Sequence, residues 1–554
     1  MKLRFASRPL TLTPSGLAWQ STMAAASGLL LVLSFPKFEL SWLAWVALAP
    51  LLYVVASGVG LRRAFWLGWL AGVIFTFFSD NWVAHSMTNF GGLLTVVAYA
   101  VTFFFSAIIA LFPGIFAAAV VQLRQAFGWW TLAFAPVLWV GSEWLRSIVT
   151  GVTWNALGIS QAHHFAVARV AQYGGVYLVS WEVAAGSAML VLLLKARGRE
   201  TRVAAGLMVM TALAVMLLPP LPPQPNTQHL TVIGVQPNIP VNLPETAHDI
   251  ARLVEQNFQL TRDALSRAPG KAADLVVWAE SPLILNYEKD ETLRARLDTF
   301  ARETGSYFIF SAVARDGDRY FNSAQTLNPR PAAASAALRR YDKIRLVPFG
   351  EYVPWRSVLG RFMPTIVGEG FTPGTDPVVN LLKLETQRGA LEQSDELGIP
   401  VPIIERTTNF VRVGTFICYE AAYPDLVRRF AQNGAALLVN ISDDAWFGNT
   451  AGARQHLAHA VMRAIENNRD LVRVTNSGIT ALITADGRVV DALPEFTPAA
   501  QIWRAEARGG QTFYTRHGDW FAMGCALLSA LAVAVSLARG AKSASRNADD
   551  RTQP

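Results

Sequence analysis

The stretch VRVGTFICYEAAYPDL, Val411 to Leu426, holds one of only two cysteines among 554 residues. Cys418 ends an apolar run that is typical of a buried strand, and Glu420 follows two places on. In α/β sheets, reactive groups tend to lie at the carboxyl ends of strands, where the chain turns into a loop. A thiol at this position is either core filling or a nucleophile, and the rest of the sequence decides between the two.

Similar apolar runs, with helical patterns between them, fill residues 229–508. Continuous Val, Ile and Leu runs indicate strands that are covered on both faces, and strands alternating with helices are typical of an α/β layered fold. The sequence predicts helices over 247–268 and 291–304 and a polar, irregular insertion or loop over 385–409. The predicted strand segments are HLTVIGVQP, DLVVWAE, YFIFSAVA, FVRVGTFICYE, ALLVNIS, LVRVTNS and ITALITADGRVVDALP.

The rest of the chain is far more apolar. Overall 52% of residues are hydrophobic and 16% are charged, against about 25% charged in ordinary soluble proteins. A bilayer span needs about 20 predominantly apolar residues. Eight segments approach that length, and the fourth is long enough to be tilted or broken near Pro113. The eight predicted spans are 16–34, 39–57, 64–86, 92–122, 128–147, 173–195, 202–218 and 519–538.

These segments predict four regions. Residues 1–220 form transmembrane helices 1 to 7, residues 229–508 form a separate α/β domain, residues 519–538 form transmembrane helix 8, and residues 539–554 form a cytoplasmic tail. The proline-rich stretch from Leu218 to Gln228 is typical of a stiff linker. The first segment has small residues near Met23, as a signal peptide would, but its apolar stretch continues to Phe35. Because signal-peptide cores usually stop after 7–15 residues, we expect an uncleaved span.

Basic residues set the predicted orientation, because short loops rich in Lys and Arg stay in the cytoplasm. With the N-terminus inside, the inner segments carry fourteen basic residues and the outer short loops carry three. This bias places residues 229–508 outside the cytoplasm and explains most of the net charge of +8, so no nucleic-acid partner is expected. The inner residues are Lys2, Arg4, Arg8, Arg62, Arg63, Arg124, Lys195, Arg197, Arg199, Arg202, Arg539, Lys542, Arg546 and Arg551; the outer ones are Lys37, Arg146 and Arg169.

The second cysteine, Cys525, falls in the last span, where a thiol behaves as a small apolar residue. It is a poor disulfide partner for a cysteine in the external domain. Cys418 is therefore predicted to be a free thiol, which in an oxidising compartment is a liability unless it is buried or used.

Two further residues with ionisable side chains follow predicted extended segments. Glu280 ends DLVVWAE, and Lys343 lies in RRYDKIRLVPFGEYVP. Taken alone, Glu280 is typical of a residue that caps a helix, and Lys343 is typical of a surface lysine. Together with Cys418 they form a set for acyl transfer, because a carboxylate accepts the thiol proton and an ammonium stabilises both thiolate and oxyanion. The backbone N–H of Tyr419 is a candidate second oxyanion donor.

At these residues the sequence resembles the nitrilase superfamily, whose domain is an αββα sandwich with a Glu-Lys-Cys triad. The helical segments make it similar to one branch, the bacterial apolipoprotein N-acyltransferases. The resemblance covers nearly the whole chain and includes VQPNIP (235–240), EWLRSIVTGVTWNALGISQ (143–161), NISDDAWFG (440–448) and NNRDLVRVTNSGITALI (467–483).

The resemblance implies a reaction and its residues. Glu280 is the general base, Cys418 the nucleophile, and Lys343 with the Tyr419 N–H stabilises the oxyanion. Glu351 and Glu420 match accessory acidic residues, and no metal or cofactor is required. The implied acyl donor is a membrane phospholipid and the acceptor is the N-terminal amine of a diacylglyceryl apolipoprotein. The implied setting is a monomer in the bacterial inner membrane, with its catalytic domain on the periplasmic side.

Several details accompany the resemblance. The family's Pro before the catalytic Glu is Ala279 here, and a Lys-Trp pair is replaced by Pro244-Glu245, which removes any contact made by that tryptophan. Trp446 and Phe447 are expected to border the site. The segment 360–373 is either a mobile lid over acyl chains or an ordinary surface loop. His456 and His459 are predicted to be helix-surface residues rather than metal ligands, and Arg454, Arg463 and Arg469 are predicted to form a solvated face.

The sequence leaves two alternative functions open. A membrane-tethered amidase would use the same triad on a small amide and pass the acyl group to water, but one span would tether it. A transporter or sensor would leave the Glu-Lys-Cys set unexplained, and the spans lack the paired, charged broken helices that transporters often show.

Overall fold

The computed structural model describes residues 16–195, 198–219, 228–242, 246–280, 285–330, 339–353, 370–394 and 400–549. The chain forms two compact units. The first contains residues 1–220, 447–458 and 517–554, and the second contains residues 221–446 and 459–516.

The first unit is helical. Five helical segments of its described part are long and apolar enough to cross a membrane, namely Leu17–Ser34, Leu61–Ser79, Thr95–Phe127, Ala171–Lys195 and Trp520–Gly540. The predicted fourth segment is indeed broken, since the helices Thr95–Ile109 and Leu111–Phe127 meet at Ala110, three residues before Pro113. The remaining helices are Ala44–Ala47, Ala49–Val55, Trp82–Asn89, Trp130–Thr150, Phe165–Ala168 and Arg199–Met216, and the last long helix runs over Trp520–Asp549.

A segment of residues 447–458 packs with these helices. The Phe447 ring lies edge-on to Trp82, with ring centroids 4.8 Å apart. The amide of Gln455 accepts from Trp154 Nε1 at 2.8 Å and donates to the carbonyls of Pro36 and Ser79 at 2.9 Å. Gln455 is fully buried, so its amide pairs backbone groups that would otherwise lack partners inside the helical unit.

The second unit contains two six-stranded sheets. The first has the order β12-β1-β2-β3-β4-β5 and the second has the order β11-β10-β9-β8-β7-β6. In each sheet three neighbouring strands are parallel, β1 to β3 in one and β7 to β9 in the other. The strands are β1 Gln228–Gln236, β2 Leu275–Trp278, β3 Tyr307–Asp316, β4 Arg319–Leu327, β5 Tyr341–Asp342, β6 Val379–Ser394, β7 Pro400–Ile417, β8 Leu437–Ser442, β9 Leu471–Thr475, β10 Ala481–Ile483, β11 Val489–Val490 and β12 Ala499–Ala507.

The two sheets pack face to face. They lie close together at Gly234 of β1, where an added Cβ would lie 3.0 Å from Val474 of β9. Helices cover both outer faces, as the continuous apolar strands predict. Phe258 and Phe300 from the helices Ala247–Arg267 and Glu291–Thr304 pack on the first sheet. On the second sheet Phe430, from the helix Pro424–Gln432, packs against Gly414. The remaining helices of this region are Gly452–Asn467 and Phe513–His517.

The predicted helices begin and end where their capping residues require. The side chain of Asp290 accepts from the Leu293 N–H at 2.9 Å, and Gly305 ends that helix with a φ of 66°. These are the preferred N-terminal and C-terminal capping residues of α-helices. The prediction of a helix over 291–304 is therefore confirmed to the residue.

Two sequence predictions are wrong. Within the segment predicted as an irregular insertion or loop, residues 385–394 and 400–409 belong to the antiparallel strands β6 and β7. His456, His459, Arg463 and Arg469, predicted to face solvent, are all at most 2% exposed. The guanidinium of Arg463 makes two 2.7 Å bonds to Glu466, and Arg469 donates to several backbone carbonyls, including that of Ala435 at 2.7 Å. Burial of the two arginines is tolerated because their guanidinium groups find acceptors inside the domain.

Candidate active site

Cys418 lies directly after β7, at the first residue of a short 3-10 helix, Cys418–Ala422. Its φ is 51°, in the left-handed region that residues other than glycine rarely adopt. Such strained backbone persists only where the surrounding structure holds it, and it is frequent at active sites. The side chain is 9% exposed and bonded to Ser442, which ends the neighbouring parallel strand β8. Cys418 and Cys525 are both free thiols, as predicted.

Lys343 connects two carboxylates at this edge of the sheets. Its Nζ lies 2.8 Å from Glu351 Oε1 and 3.5 Å from Glu280 Oε1, and its side chain is 1% exposed. The sequence predicted all three residues, and the fold brings them together although they are 71 positions apart from first to last (351 − 280). The Val347 N–H donates to Glu351 Oε2 at 2.7 Å, which fixes that carboxylate from its other side.

Asn322, on β4, joins the same two carboxylates. Its Nδ2 donates to Glu280 Oε1 at 2.7 Å and to Glu351 Oε1 at 2.8 Å, and its backbone carbonyl accepts from the Lys343 N–H at 2.8 Å. The sequence analysis missed this residue. It lies on β4, an antiparallel strand that was not among the predicted strands, so no strand-end argument pointed to it.

The electrostatics of the site keep the lysine charged and the resting thiol neutral. Burial lowers the pKa of Lys343, but the carboxylates of Glu280 and Glu351 outweigh it and hold that pKa well above its usual range. Burial raises the pKa of the Cys418 thiol, the Glu280 charge raises it further, and the Lys343 ammonium opposes both. The thiol therefore needs a base at the moment of attack, since only the thiolate is nucleophilic.

Glu420 is fully buried and holds the turn that carries Cys418. Its Oε1 accepts from the Tyr341 hydroxyl at 2.7 Å and from the N–H groups of Ile344 and Arg345 at 2.7 and 3.0 Å. Its Oε2 accepts from the Ile417 N–H at 2.8 Å. One carboxyl thus joins the end of β7 to the segment that carries Lys343, and we interpret Glu420 as a positioning residue.

Replacing Glu420 by alanine is expected to destabilise the domain. The change leaves three backbone N–H groups and one hydroxyl without acceptors, and each buried unsatisfied group costs about 1–3 kcal/mol, so a total of at least about 3 kcal/mol is expected. Thermal unfolding of the purified protein measures the loss. The matched control is Asp425→Ala, which removes an exposed carboxylate paired with Arg345 and is expected to change stability by less than about 0.5 kcal/mol. Equal midpoints for the two variants would contradict this role of Glu420.

Two acidic residues after β8 extend the site. Asp443 donates its N–H to Glu280 Oε2 at 3.0 Å. Asp444 accepts from the Ser442 hydroxyl at 2.7 Å and pairs with Arg473 at 2.6 Å, with both side chains fully buried. The segment NISDDAWFG (440–448) contributed to the family resemblance, but its two acids were not predicted to belong to the site. The overlooked signal is a pair of acids at the carboxyl end of a continuous apolar strand.

The other predicted residues are placed as follows. Tyr419 follows Cys418, and its ring lies edge-on to Tyr423 with centroids 5.3 Å apart. Trp446 is half-buried in the short helix Asp444–Phe447. Residues 360–369 of the predicted lid lie outside the described residues, so the lid stays a prediction. In the described part of the chain no group of three or more His, Cys, Asp or Glu residues could hold a metal ion.

This arrangement defines a class of protein. A two-sheet α/β domain with helices on both outer faces and a buried thiol, ammonium and carboxylate is nitrilase-like, and residues 235–508 match the family described as carbon-nitrogen hydrolase. Residues 27–189 match a second family, described as the apolipoprotein N-acyltransferase N-terminal domain.

Relatives match over nearly the whole chain. An apolipoprotein N-acyltransferase of Geobacter metallireducens is 31% identical over 93% of this chain and 95% of its own length. Those of Azotobacter vinelandii and Pasteurella multocida are 32% and 30% identical, each over 91% of this chain and 93% of their own length. The chain belongs to the apolipoprotein N-acyltransferase family of the nitrilase superfamily, and it is an acyltransferase.

Proposed function

We propose that the protein transfers a fatty acyl group from a membrane phospholipid to the N-terminal amine of a diacylglyceryl apolipoprotein, through a thioester on Cys418. The observation that carries this proposal is the geometry of the site, in which a strained, buried cysteine at the end of β7 shares its surroundings with a lysine held between two carboxylates. The names of its relatives supply the substrate class, and the apolar helices account for substrates that stay in a membrane.

In the first half-reaction Glu280 accepts the thiol proton and the Cys418 sulfur attacks the ester carbonyl carbon. The oxyanion that forms is stabilised by Lys343 and by the Tyr419 N–H. Two of the three ammonium protons of Lys343 face Glu351 and Glu280, at 2.8 and 3.5 Å, which leaves a third for the oxyanion. When the intermediate collapses, the ester C–O bond breaks and Glu280 returns the proton to the leaving oxygen, so a lysophospholipid departs.

In the second half-reaction the acceptor amine attacks the thioester carbonyl. Glu280 takes a proton from the nitrogen, the C–S bond breaks, and the proton restores the Cys418 thiol. The product is an amide, and the enzyme returns to its starting state. Asn322 and the Asp443 N–H hold Glu280 in place through both steps, because each bonds to one of its two oxygens.

The membrane placement is part of the proposal. We propose eight spans with the catalytic domain on the periplasmic side of a bacterial inner membrane, acting as a monomer. Five long apolar helical segments support the membrane assignment, and the proposal takes the helical segments 41–55, 130–150 and 199–216 as the other three spans. The excess of Lys and Arg in the loops assigned to the inner face supports the orientation.

Acyl transfer is tested with a phospholipid that carries a labelled acyl chain and a peptide that begins with diacylglyceryl cysteine. The full-length protein is expected to move the label to the peptide amine as an amide, which resists hydroxylamine. The control peptide has the same lipid and an acetylated N-terminus, and it is expected to receive no label. Release of labelled fatty acid at the same rate with either peptide would favour the alternative, a nitrilase-type hydrolase acting with water.

A further inference from the structure

Asp443 is a carboxyl beside the base that the proposed mechanism leaves unused. Its side chain is 3% exposed. Oδ1 accepts from Asn476 Nδ2 at 2.9 Å and from the Ala445 N–H at 3.1 Å. Oδ2 is buried, and it has no hydrogen-bond partner among the residues that the structure describes. One oxygen of this carboxyl is therefore saturated with donors, and the other has none.

The orientation of Asn476 identifies which oxygen can carry a proton. Its Oδ1 accepts from the Ile239 N–H at 2.7 Å and its Nδ2 donates to the Ile239 carbonyl at 2.7 Å. These two bonds fix the amide so that its remaining N–H points to Asp443. Asp443 Oδ1 must then be an acceptor, for Asn476 as well as for Ala445. A proton on this carboxyl lies on Oδ2.

The charges around Asp443 favour that proton. Glu280 and Asp444 are the acids that face it. The cations of the site pair with other acids, since Lys343 lies between Glu280 and Glu351, and Arg473 pairs with Asp444. Burial raises the pKa of Asp443 to about 8, with the Glu280 charge adding to the effect and the Asn476 bond opposing it. An ionised Asp443 would be a buried carboxylate close to Glu280, with hydrogen-bond donors on only one of its two oxygens.

We propose that Asp443 is protonated on Oδ2 in the active enzyme and is a positioning residue for Glu280, its neutral side chain leaving that carboxylate free of a second negative charge. This inference rests on the proposed acyl transfer at Cys418. When Asp443 loses its proton, a negative charge appears beside the place where the thiolate and the oxyanion form. Both are then destabilised, and thioester formation slows.

The test is the pH dependence of thioester formation on Cys418, from pH 6 to 9.5, with phospholipid and no acceptor. Omitting the acceptor removes its α-amine, which ionises near pH 8. Lys343 keeps its proton over this range because its pKa is held well above its usual value. The single-turnover rate of the unaltered protein is expected to fall above about pH 8 by about tenfold for each pH unit, as one ionisation requires.

The variant is Asp443→Asn, which keeps the shape and cannot ionise. Its rate is expected to stay level from pH 7 to pH 9.5, so that the ratio of its rate to that of the unaltered protein rises by about tenfold or more over this range. The control is Asp425→Asn, on the surface beside Arg345, which is expected to keep the fall above pH 8.

Other results would overturn either the role of Asp443 or the proposed function. Parallel profiles for the unaltered protein and Asp443→Asn, or an Asn variant that is folded and inactive at every pH, would overturn the role of Asp443. Should the variant not fold, the unaltered protein decides alone, because a level rate up to pH 9.5 would overturn the inference. A protein that forms no thioester at any pH would contradict the proposed function rather than this role.

Discussion

Replacing Cys418 by alanine is expected to abolish thioester formation and acyl transfer, with a loss of at least about 10⁴-fold. The sulfur is the atom that carries the acyl group, and neither Ser442 nor any other partner of the thiol replaces it as a nucleophile. The 9% exposed side chain contributes little volume beyond a methyl group, so the variant is expected to fold. Transfer of a labelled acyl chain to the diacylglyceryl peptide measures the effect.

The control for this experiment is the other cysteine of the chain. Cys525 is also a free, buried thiol, but it lies in the helix Trp520–Asp549 of the helical unit. Cys525→Ala is expected to keep the activity of the unaltered protein within about threefold. If Cys418→Ala retained a tenth of the activity, the thioester account would be wrong, whatever the result for Cys525.

Replacing Glu280 by glutamine is expected to lower the rate of thioester formation by about 10²- to 10⁴-fold, the usual contribution of general acid–base catalysis. The glutamine cannot take the thiol proton. Both oxygens of Glu280 accept a hydrogen bond, one from Asn322 and one from the Asp443 N–H. A glutamine has only one oxygen, so its NH₂ group would face one of these two donors. Burst kinetics with phospholipid alone measure the first half-reaction directly.

The matched control is Glu303→Gln, on the exposed face of the helix Glu291–Thr304. It removes the same charge from the same domain without touching the site, and it is expected to leave the rate unchanged within experimental error. A Glu280→Gln variant that forms the thioester at the rate of this control would assign the base to another residue. Glu351, on the other side of Lys343, would then be the first candidate.

The strand ends of the site could be predicted because each is marked by an apolar run of neighbouring residues. The runs that end at Glu280 and Ile417 are apolar and uninterrupted, and buried parallel strands require that pattern. The pairing of Ile417 with Ile441 then places Cys418 beside the end of β8. The residue types found at the ends of such strands were enough to assemble the triad before any geometry was known.

Other parts of the site depend on contacts that a single sequence does not reveal. Asn322 lies on a strand paired antiparallel to β3, and only the fold brings its amide to Glu280 and Glu351. The hairpin of β6 and β7 was missed because residues 385–394 are mostly polar, as loop residues are. Arg463 and Arg469 were misjudged because their charges suggested solvent, whereas the domain surrounds each with acceptors. Burial of a charged residue is decided by its partners and not by its type.

The intact mass of the full-length protein, taken after exposure to phospholipid without acceptor, tests the central claim most directly. The account predicts an increase by one fatty acyl chain, located on Cys418, removed by neutral hydroxylamine and lost when the diacylglyceryl peptide is added. An unchanged mass while transfer proceeds, or an adduct on another residue that resists hydroxylamine, would contradict it.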